Sequence, residues 1–171
     1  MFQDLRDKFI DDFITKDRWR YLVDGLGVTF QVTIGAVIIG ILLGFLLAII
    51  RATHDKTGKL TILDLFAKLY LAVIRGTPVV VQLLIMYFIV FATSSIDKVL
   101  VAVITFGLNS AAYVAEIVRS GIMSVDDGQM EAGRSLGLNF TQTMRLIIIP
   151  QAFKNVLPAL VNEFIVLIKE T

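Results

Sequence analysis

The chain contains no cysteine and a single histidine, His54, among its 171 residues. The lack of cysteine excludes disulfide bonds, thiolate metal sites and a cysteine nucleophile. One histidine gives no basis for a metal cluster or a histidine-based triad, and we interpret His54 as a polar loop residue. Charge is also scarce, at 18% of residues against roughly 25% in soluble domains. Lys and Arg number 16 against 15 acidic residues, so no bulk charge points to a nucleic-acid partner.

Apolar side chains make up 56% of the chain, and the mean hydropathy of +0.78 is typical of a membrane protein. The first apolar run, residues 25–50, is too long for the core of a secretory signal peptide and has no Ala-x-Ala cleavage site. Because a helix crosses the bilayer core with about 20 residues, this run predicts a first membrane span. Small residues recur on it at i, i+4 spacing, which favours close helix packing: Ala36, Gly40, Gly44 and Ala48.

The next spans complete an all-α, polytopic bundle of about four membrane helices. The sequence RATHDKTGK after the first run is typical of a polar loop. Residues 60–72 predict a helical lead-in at the membrane interface, and residues 73–93 predict the second span. Gly76 and Pro78 predict a break or kink, because proline removes a backbone donor and clashes with the preceding turn.

The third span, at about residues 98–123, has two different faces. One face carries small residues, which favour contact with another helix: Gly107, Ala111 and Ala115. The opposite face is polar: Asn109, Tyr113, Glu116 and Ser120. An ionisable group at membrane depth is costly, so Glu116 either faces a wet cavity or lies near the interface and pairs with Arg119 or Arg75.

Pro150 suits the first turn of a last helix, which continues to the end of the chain with a kink at Pro158. Four polar residues fall, together with Pro158, within a narrow arc of this helix: Gln151, Asn155, Asn162 and Lys169. The distribution of Lys and Arg among the loops does not set the orientation of the bundle.

The first 24 residues predict an amphipathic helix at residues 2–22. Its apolar side chains lie near one face: Phe2, Leu5, Phe9, Phe13 and Trp19. Such a helix either lies in the headgroup plane or packs as a cap on the protein. We interpret residues 1–24 as an interfacial helix and residues 25–171 as one transmembrane domain.

Segment 124–149 is too polar to cross a bilayer and too helix-prone to be a simple linker. An ordinary amphipathic loop is one interpretation. The pattern Glu131-Ala132-Gly133, then Gly137, then Ile147-x-Ile149-Pro150 resembles the EAA loop of ABC importer permeases. The spacings match throughout, with Gly133 in place of the third alanine and Ile149 in place of leucine.

Three further stretches resemble polar amino acid permeases of the histidine/glutamine type: VIRGTPVVVQLLIMYF, NSAAYVAEIVRSGI and PQAFKNVLPALVNEFIVLIKET. Together with the EAA pattern they cover about residues 22–171 in the family's order. Family members usually have one more span after the last stretch, so we expect this sequence to be C-terminally incomplete.

This resemblance implies that the loop docks on a separate ABC ATPase subunit. The residues implied in that coupling are Glu131, Ala132, Gly133, Gly137, Ile147 and Pro150. No Walker A sequence occurs, so ATP and Mg²⁺ are expected on the partner subunit and no cofactor or metal in this chain. An extracytoplasmic amino acid-binding protein, a second permease copy or a paralogue, and the lipid bilayer are the other implied partners.

The resemblance therefore implies the permease subunit of an importer for polar amino acids, glutamine-like or related. We expect its translocation path to be lined by Arg75, Gln82, Asn109, Tyr113, Glu116, Asn155, Asn162 and Glu163. The charged members are candidates to pair with the carboxylate and ammonium groups of the substrate. A passive channel and a non-transporting membrane scaffold are the alternatives. The channel gives no reason for the EAA spacing, and the buried polar stripes argue against the scaffold.

Overall fold

The computed structural model describes residues 2–15 and 17–171, apart from the side chains of Leu5, Asp7, Phe9 and Asp12. The described residues form helices and no strand, as predicted. In the described part of the chain, three helices are long and apolar enough to cross a membrane, and a bent pair makes a fourth span if it is counted as one. The predicted count of about four spans is therefore compatible with the structure.

The described residues form eight α-helices and three π-helical segments. Their bounds are α1 Phe2–Phe9, a π segment Ile10–Thr15, α2 Trp19–Thr57, α3 Thr61–Arg75, α4 Val79–Ile85, a π segment Met86–Val90, α5 Lys98–Met123, α6 Asp127–Ser135, α7 Phe140–Thr143, a π segment Met144–Ile148 and α8 Ile149–Glu170.

Helices α2 and α5 pack side by side in parallel. A Cβ added at Gly40 would lie 2.8 Å from the Ser110 hydroxyl, and one at Gly44 would lie 2.6 Å from Val114 Cβ. The two helices approach so closely because both present their small residues to the contact. The predicted strips on both spans are buried, which confirms them as packing faces.

Helix α8 runs antiparallel to this pair. Near its start, Val156 packs against Gly121, where an added Cβ would lie 2.0 Å from Val156 Cγ2. Farther along, the Ser110 hydroxyl donates to Glu163 Oε1 at 3.0 Å. These contacts hold α2, α5 and α8 together as the central bundle.

The first span is longer than predicted, because α2 continues through the expected polar loop to Thr57 and ends at Gly58 with φ 66°. The loop prediction for His54 is wrong, since His54 lies on α2 with its Nε2 3.6 Å from Asp64 Oδ2. Ion pairs stabilise the charged end of this helix, including Arg51 with Glu116 at 2.7 Å. Those pairs come from residues distant in the chain, so a local reading of the sequence misses them.

The second span is broken rather than straight. Helix α3 ends at Arg75, α4 begins at Val79, and the two are bent by 102°. The prediction of one span over residues 73–93 is therefore replaced by two half-helices, while the predicted break at Gly76 and Pro78 is confirmed. The break leaves carbonyl groups without helical partners, and another side chain satisfies them, as described below.

The last helical run also begins earlier than predicted. Asn139 caps α7 in a capping box with Gln142, and helix continues from Phe140 to Glu170. Pro150 therefore lies inside the run instead of at its start. The π segment Met144–Ile148 ends two residues before Pro150, and the Ile149 N–H bonds to the Met144 carbonyl. This wider turn accommodates a residue that has no N–H.

The N-terminal segment is not one helix over residues 2–22. It comprises α1 and a π segment, and the described backbone has Asp17 at φ 53° before α2 begins at Trp19. Trp19 therefore belongs to the first span. The predicted apolar face also includes Leu5 and Phe9, whose side chains lie outside the described part of the structure.

Candidate coupling helix and translocation clefts

Helix α6 lies at the end of the bundle where α2 and α5 both terminate. Asp126 caps it by accepting from the Gly128 N–H at 2.7 Å. Lys56, in the last turn of α2, pairs with Asp127 Oδ1 at 2.9 Å. On its outer side, Glu131 and Ala132 are exposed, so these two motif residues are available to a soluble partner.

The glycine at the third motif position is buried at the joint between α6 and the last helical run. A Cβ added at Gly133 would lie 2.5 Å from Thr143 Cγ2 and 3.1 Å from Ile147 Cδ1. This contact explains why glycine is suited to a position where the family pattern has alanine. Gly133 and Ile147 therefore form the joint, and they do not belong to the exposed contact surface.

Gly137 makes the turn that follows α6. Its φ of 85° is a conformation that side-chain-bearing residues rarely adopt. The Leu138 N–H donates back to the Gly133 carbonyl at 3.2 Å, which closes the helix end in the manner of a C-terminal glycine cap. Pro150 is exposed three residues after Ile147. The six motif residues thus divide into an exposed pair, a buried joint, a turn and a helix-interior proline.

Glu116 lies at the centre of an ion-pair network between α2 and α5. Its Oε2 is 2.7 Å from Arg51 Nη1, and its Oε1 is 2.7 Å from Arg119 Nη2. Arg119 in turn pairs with Asp55 at 3.0 Å, and Arg75 Nη1 lies 3.9 Å from Glu116 Oε2. Glu116 therefore has Arg119 as a pairing partner, as the second interpretation of the sequence proposed. It also lines the cleft described below.

Sequence reasoning missed Arg51 and Asp64 as members of this cluster. The Asp64 side chain is 3% exposed and lies 2.6 Å from Lys68 Nζ and 3.7 Å from Arg51 Nε. The available signal was a set of charges directly next to apolar runs, because charged groups at such positions are costly unless they are paired.

A cleft of about 630 Å³ opens beside this network, between α3, α5 and α8. Its polar lining comprises Arg75, Tyr113, Glu116, Ser120, Ser124 and Asn155. The Asn155 amide donates to the Ser124 hydroxyl at 2.9 Å, which joins α8 to the end of α5. We call this space the α6-side cleft, because Ser124 lies in the connection between α5 and α6.

A second cleft of about 320 Å³ lies at the break between α3 and α4. We call it the break-side cleft; its polar lining comprises Arg75, Thr77, Asn109, Tyr113 and Glu170. Asn109 is only 5% exposed and donates to Gln82 Oε1 at 3.2 Å. It therefore offers little of its surface to a solute.

Gln82 positions the break and lines neither of the two clefts. Its Nε2 donates to the Ile74 carbonyl at 2.7 Å and to the Thr77 carbonyl at 2.9 Å, so it satisfies acceptors that the broken helix exposes. Because its Oε1 accepts from the Asn109 amide, both the amide nitrogen and the amide oxygen of Gln82 are hydrogen-bonded.

The structure thus brings together five of the eight predicted path residues: Arg75, Asn109, Tyr113, Glu116 and Asn155. Glu163 faces α2 and α5, beside a pocket of about 30 Å³ that includes Val37. Asn162 is exposed and lines neither cleft. The role of all eight in transport stays a prediction.

The reactivity of single cysteines introduced along α5 is expected to differ between its polar face and its small-residue face. Cysteine at Tyr113 or Ser120 should react with a water-soluble maleimide, because both side chains line the α6-side cleft. Cysteine at Ala111 or Ala115 should not react, since both positions are 0% exposed. Cysteine at Asn109 should react slowly. The chain has no native cysteine to interfere, and faster labelling of the alanine positions would reverse the assignment.

Residues 36–171 match the model of the family described as the binding-protein-dependent transport system inner membrane component. A putative glutamine transport system permease of Rickettsia typhi is 44% identical over 153 residues, spanning 88% of this chain and 68% of that protein. The arginine transport system permease of Bacillus subtilis is 40% identical, with the same two coverages.

Among solved structures, the crystal structure of an amino acid ABC transporter with histidines superimposes with a TM-score of 0.81. It is 44% identical, and the match covers 92% of this chain and 72% of that one. These relatives favour a transporter over a passive channel or a scaffold. The chain belongs to the family of binding-protein-dependent transport system inner membrane components, as a multi-pass permease of the amino acid ABC importer type.

Proposed function

We propose that this permease carries a polar amino acid, glutamine or a related one, through the clefts beside α5, with α6 as its contact to a separate ATPase subunit. The relatives named for glutamine and arginine transport support this class of substrate. ATP and Mg²⁺ bind to the ATPase subunit, an extracytoplasmic binding protein delivers the substrate, and a second copy or a paralogue completes the membrane pathway.

The observation that carries the coupling role is the double attachment of α6. One attachment is the ion pair between Lys56 of α2 and Asp127. The other is the packing of Gly133 against Thr143 and Ile147, which lie on the helical run that continues into α8. A displacement of α6 by the ATPase therefore acts on two helices of the central bundle, and alternating access follows from their movement.

Reconstitution into liposomes tests this function. The permease would be purified with its ATPase and binding protein and reconstituted. Uptake of radiolabelled glutamine, glutamate, arginine and histidine would then be measured with ATP or ADP on the side of the liposome membrane that carries the ATPase. We expect accumulation of a polar amino acid only with ATP hydrolysis. Equal uptake without ATP would support a channel, and no uptake with an assembled, hydrolysing complex would support a scaffold.

A further inference from the structure

The α6-side cleft and the break-side cleft share two lining residues, Arg75 and Tyr113. The two side chains stack, with Arg75 Cζ 5.5 Å from the centroid of the Tyr113 ring. This distance is within the range of a cation–π contact. The stacked pair is therefore part of the wall between the two spaces.

The spaces on either side of this pair lie at different heights in the bundle. Ser120 lines the α6-side cleft and Thr77 lines the break-side cleft. Ser120 lies near the end of α5 that leads into α6, whereas Thr77 lies between the two half-helices of the broken span. Arg75 and Tyr113 line both spaces, so the stacked pair lies between these two heights along α5.

The Arg75 guanidinium keeps much of its binding capacity. Within residues 2–15 and 17–171, no side-chain hydrogen bond of Arg75 is present, and its side chain is 43% exposed. The carboxylate oxygen 3.9 Å away, Glu116 Oε2, already accepts from Arg51 at 2.7 Å. Arginine presents a planar fork of donors that fits a carboxylate with two parallel hydrogen bonds.

We propose that Arg75 and Tyr113 form a gate between the two clefts, and that the α-carboxylate of the substrate opens it by binding Arg75. The N–H donors of the guanidinium lie in its own plane and are not used by stacking. A carboxylate that forms two hydrogen bonds with them therefore draws Arg75 towards the substrate and off the Tyr113 ring, because such a pair is stronger than a cation–π contact. Glu116 limits the movement of Arg75 without neutralising it, because Arg51 and Arg119 occupy its oxygens. The carboxylate part of this proposal rests on the proposed function, whereas the barrier part does not.

Thiol labelling tests the barrier directly. Thr77→Cys and Ser120→Cys would be made separately in the complete importer and labelled without nucleotide in inside-out vesicles, with a membrane-impermeant maleimide added on the α6 side. We expect Thr77→Cys to react about tenfold more slowly than Ser120→Cys, since thiol reactivity follows access. Adding Tyr113→Ala should raise the Thr77→Cys rate to near that of Ser120→Cys.

Tyr87→Ala is the matched control. It removes the ring of another cation–π pair on the same broken span, with Lys98 Nζ 5.9 Å from the Tyr87 centroid, and should change neither rate. Tyr113→Phe keeps the ring and should keep Thr77→Cys slow. Equal rates for the two cysteines in the parent, or no effect of Tyr113→Ala in a complex that still contains the ATPase, would overturn the gate.

Uptake measurements test the carboxylate contact. With radiolabelled L-glutamine as the probe, Arg75→Gln should lower uptake by about 10–100-fold, the expected effect of losing a charged hydrogen-bonded contact. Arg75→Lys should retain part of the uptake, because lysine keeps the positive charge as a point charge. If Arg75→Gln transports like the parent, the carboxylate contact is wrong. If the parent itself transports none of the amino acids offered, the proposed function fails, while the labelling result still decides the barrier.

Discussion

Replacing Gly44 with leucine is expected to separate α2 from α5 and to leave little folded permease in the membrane. Even a Cβ at this position would lie 2.6 Å from Val114 Cβ and 3.0 Å from the Ala111 carbonyl oxygen. Overpacking an ordinary core site costs about 1–3 kcal/mol. The effect here should be larger, because the obstacle includes backbone and the rest of the leucine side chain must also find space.

The measurement is the yield of monodisperse permease after detergent extraction, together with its co-purification with the ATPase. Gly27→Leu is the matched control on the same helix, because nothing lies within 4 Å of a Cβ added there, and it should leave both quantities unchanged. Wild-type yield and assembly of the Gly44→Leu variant would contradict the close packing of these two helices.

Replacing Glu131 with lysine is expected to uncouple ATP hydrolysis from transport while the subunit still inserts and folds. Glu131 is exposed. The described side-chain hydrogen bond at this residue is made by its backbone carbonyl, which accepts from the Ser135 hydroxyl at 2.9 Å. Reversing its charge therefore has little to disturb within this chain. If Glu131 meets the ATPase, a mismatched charge at that contact should lower ATP-driven uptake by more than about tenfold.

Gln129→Lys provides a control on the same helix. Gln129 is directed towards α8, since its Oε1 accepts from the Gln151 amide at 3.3 Å, and the same new charge there should leave at least half of the uptake. Uptake, ATPase stimulation by the loaded binding protein, and assembly would be measured for both variants. Normal uptake by Glu131→Lys would remove this residue from the coupling contact.

Features that depend on neighbours along the chain could be predicted from the sequence. The third span was predicted at about residues 98–123, and α5 covers Lys98–Met123. Its start is local, because Asp97 accepts from the Val99 N–H at 2.8 Å, as an N-cap does. The break at Gly76 and Pro78 was predictable for the same reason, since it follows from the backbone chemistry of those two residues.

The small-residue strips were also predictable, because a repeat of four residues places side chains on one helix face whatever surrounds it. The partner of each strip was not. That Gly44 meets Val114 and Gly121 meets Val156 depends on the relative height and direction of whole helices, which no local pattern contains.

Composition and spacing along single segments are enough to predict the all-α membrane architecture, the helix faces, the break in the second span and the family motif. Contacts between helices are not predictable in this way. Gly133 belongs to a buried joint while Glu131 is exposed, Glu116 has Arg51 as a partner, and Arg75 stacks on Tyr113. Such contacts are distances between side chains on different helices, and the packing of those helices sets them.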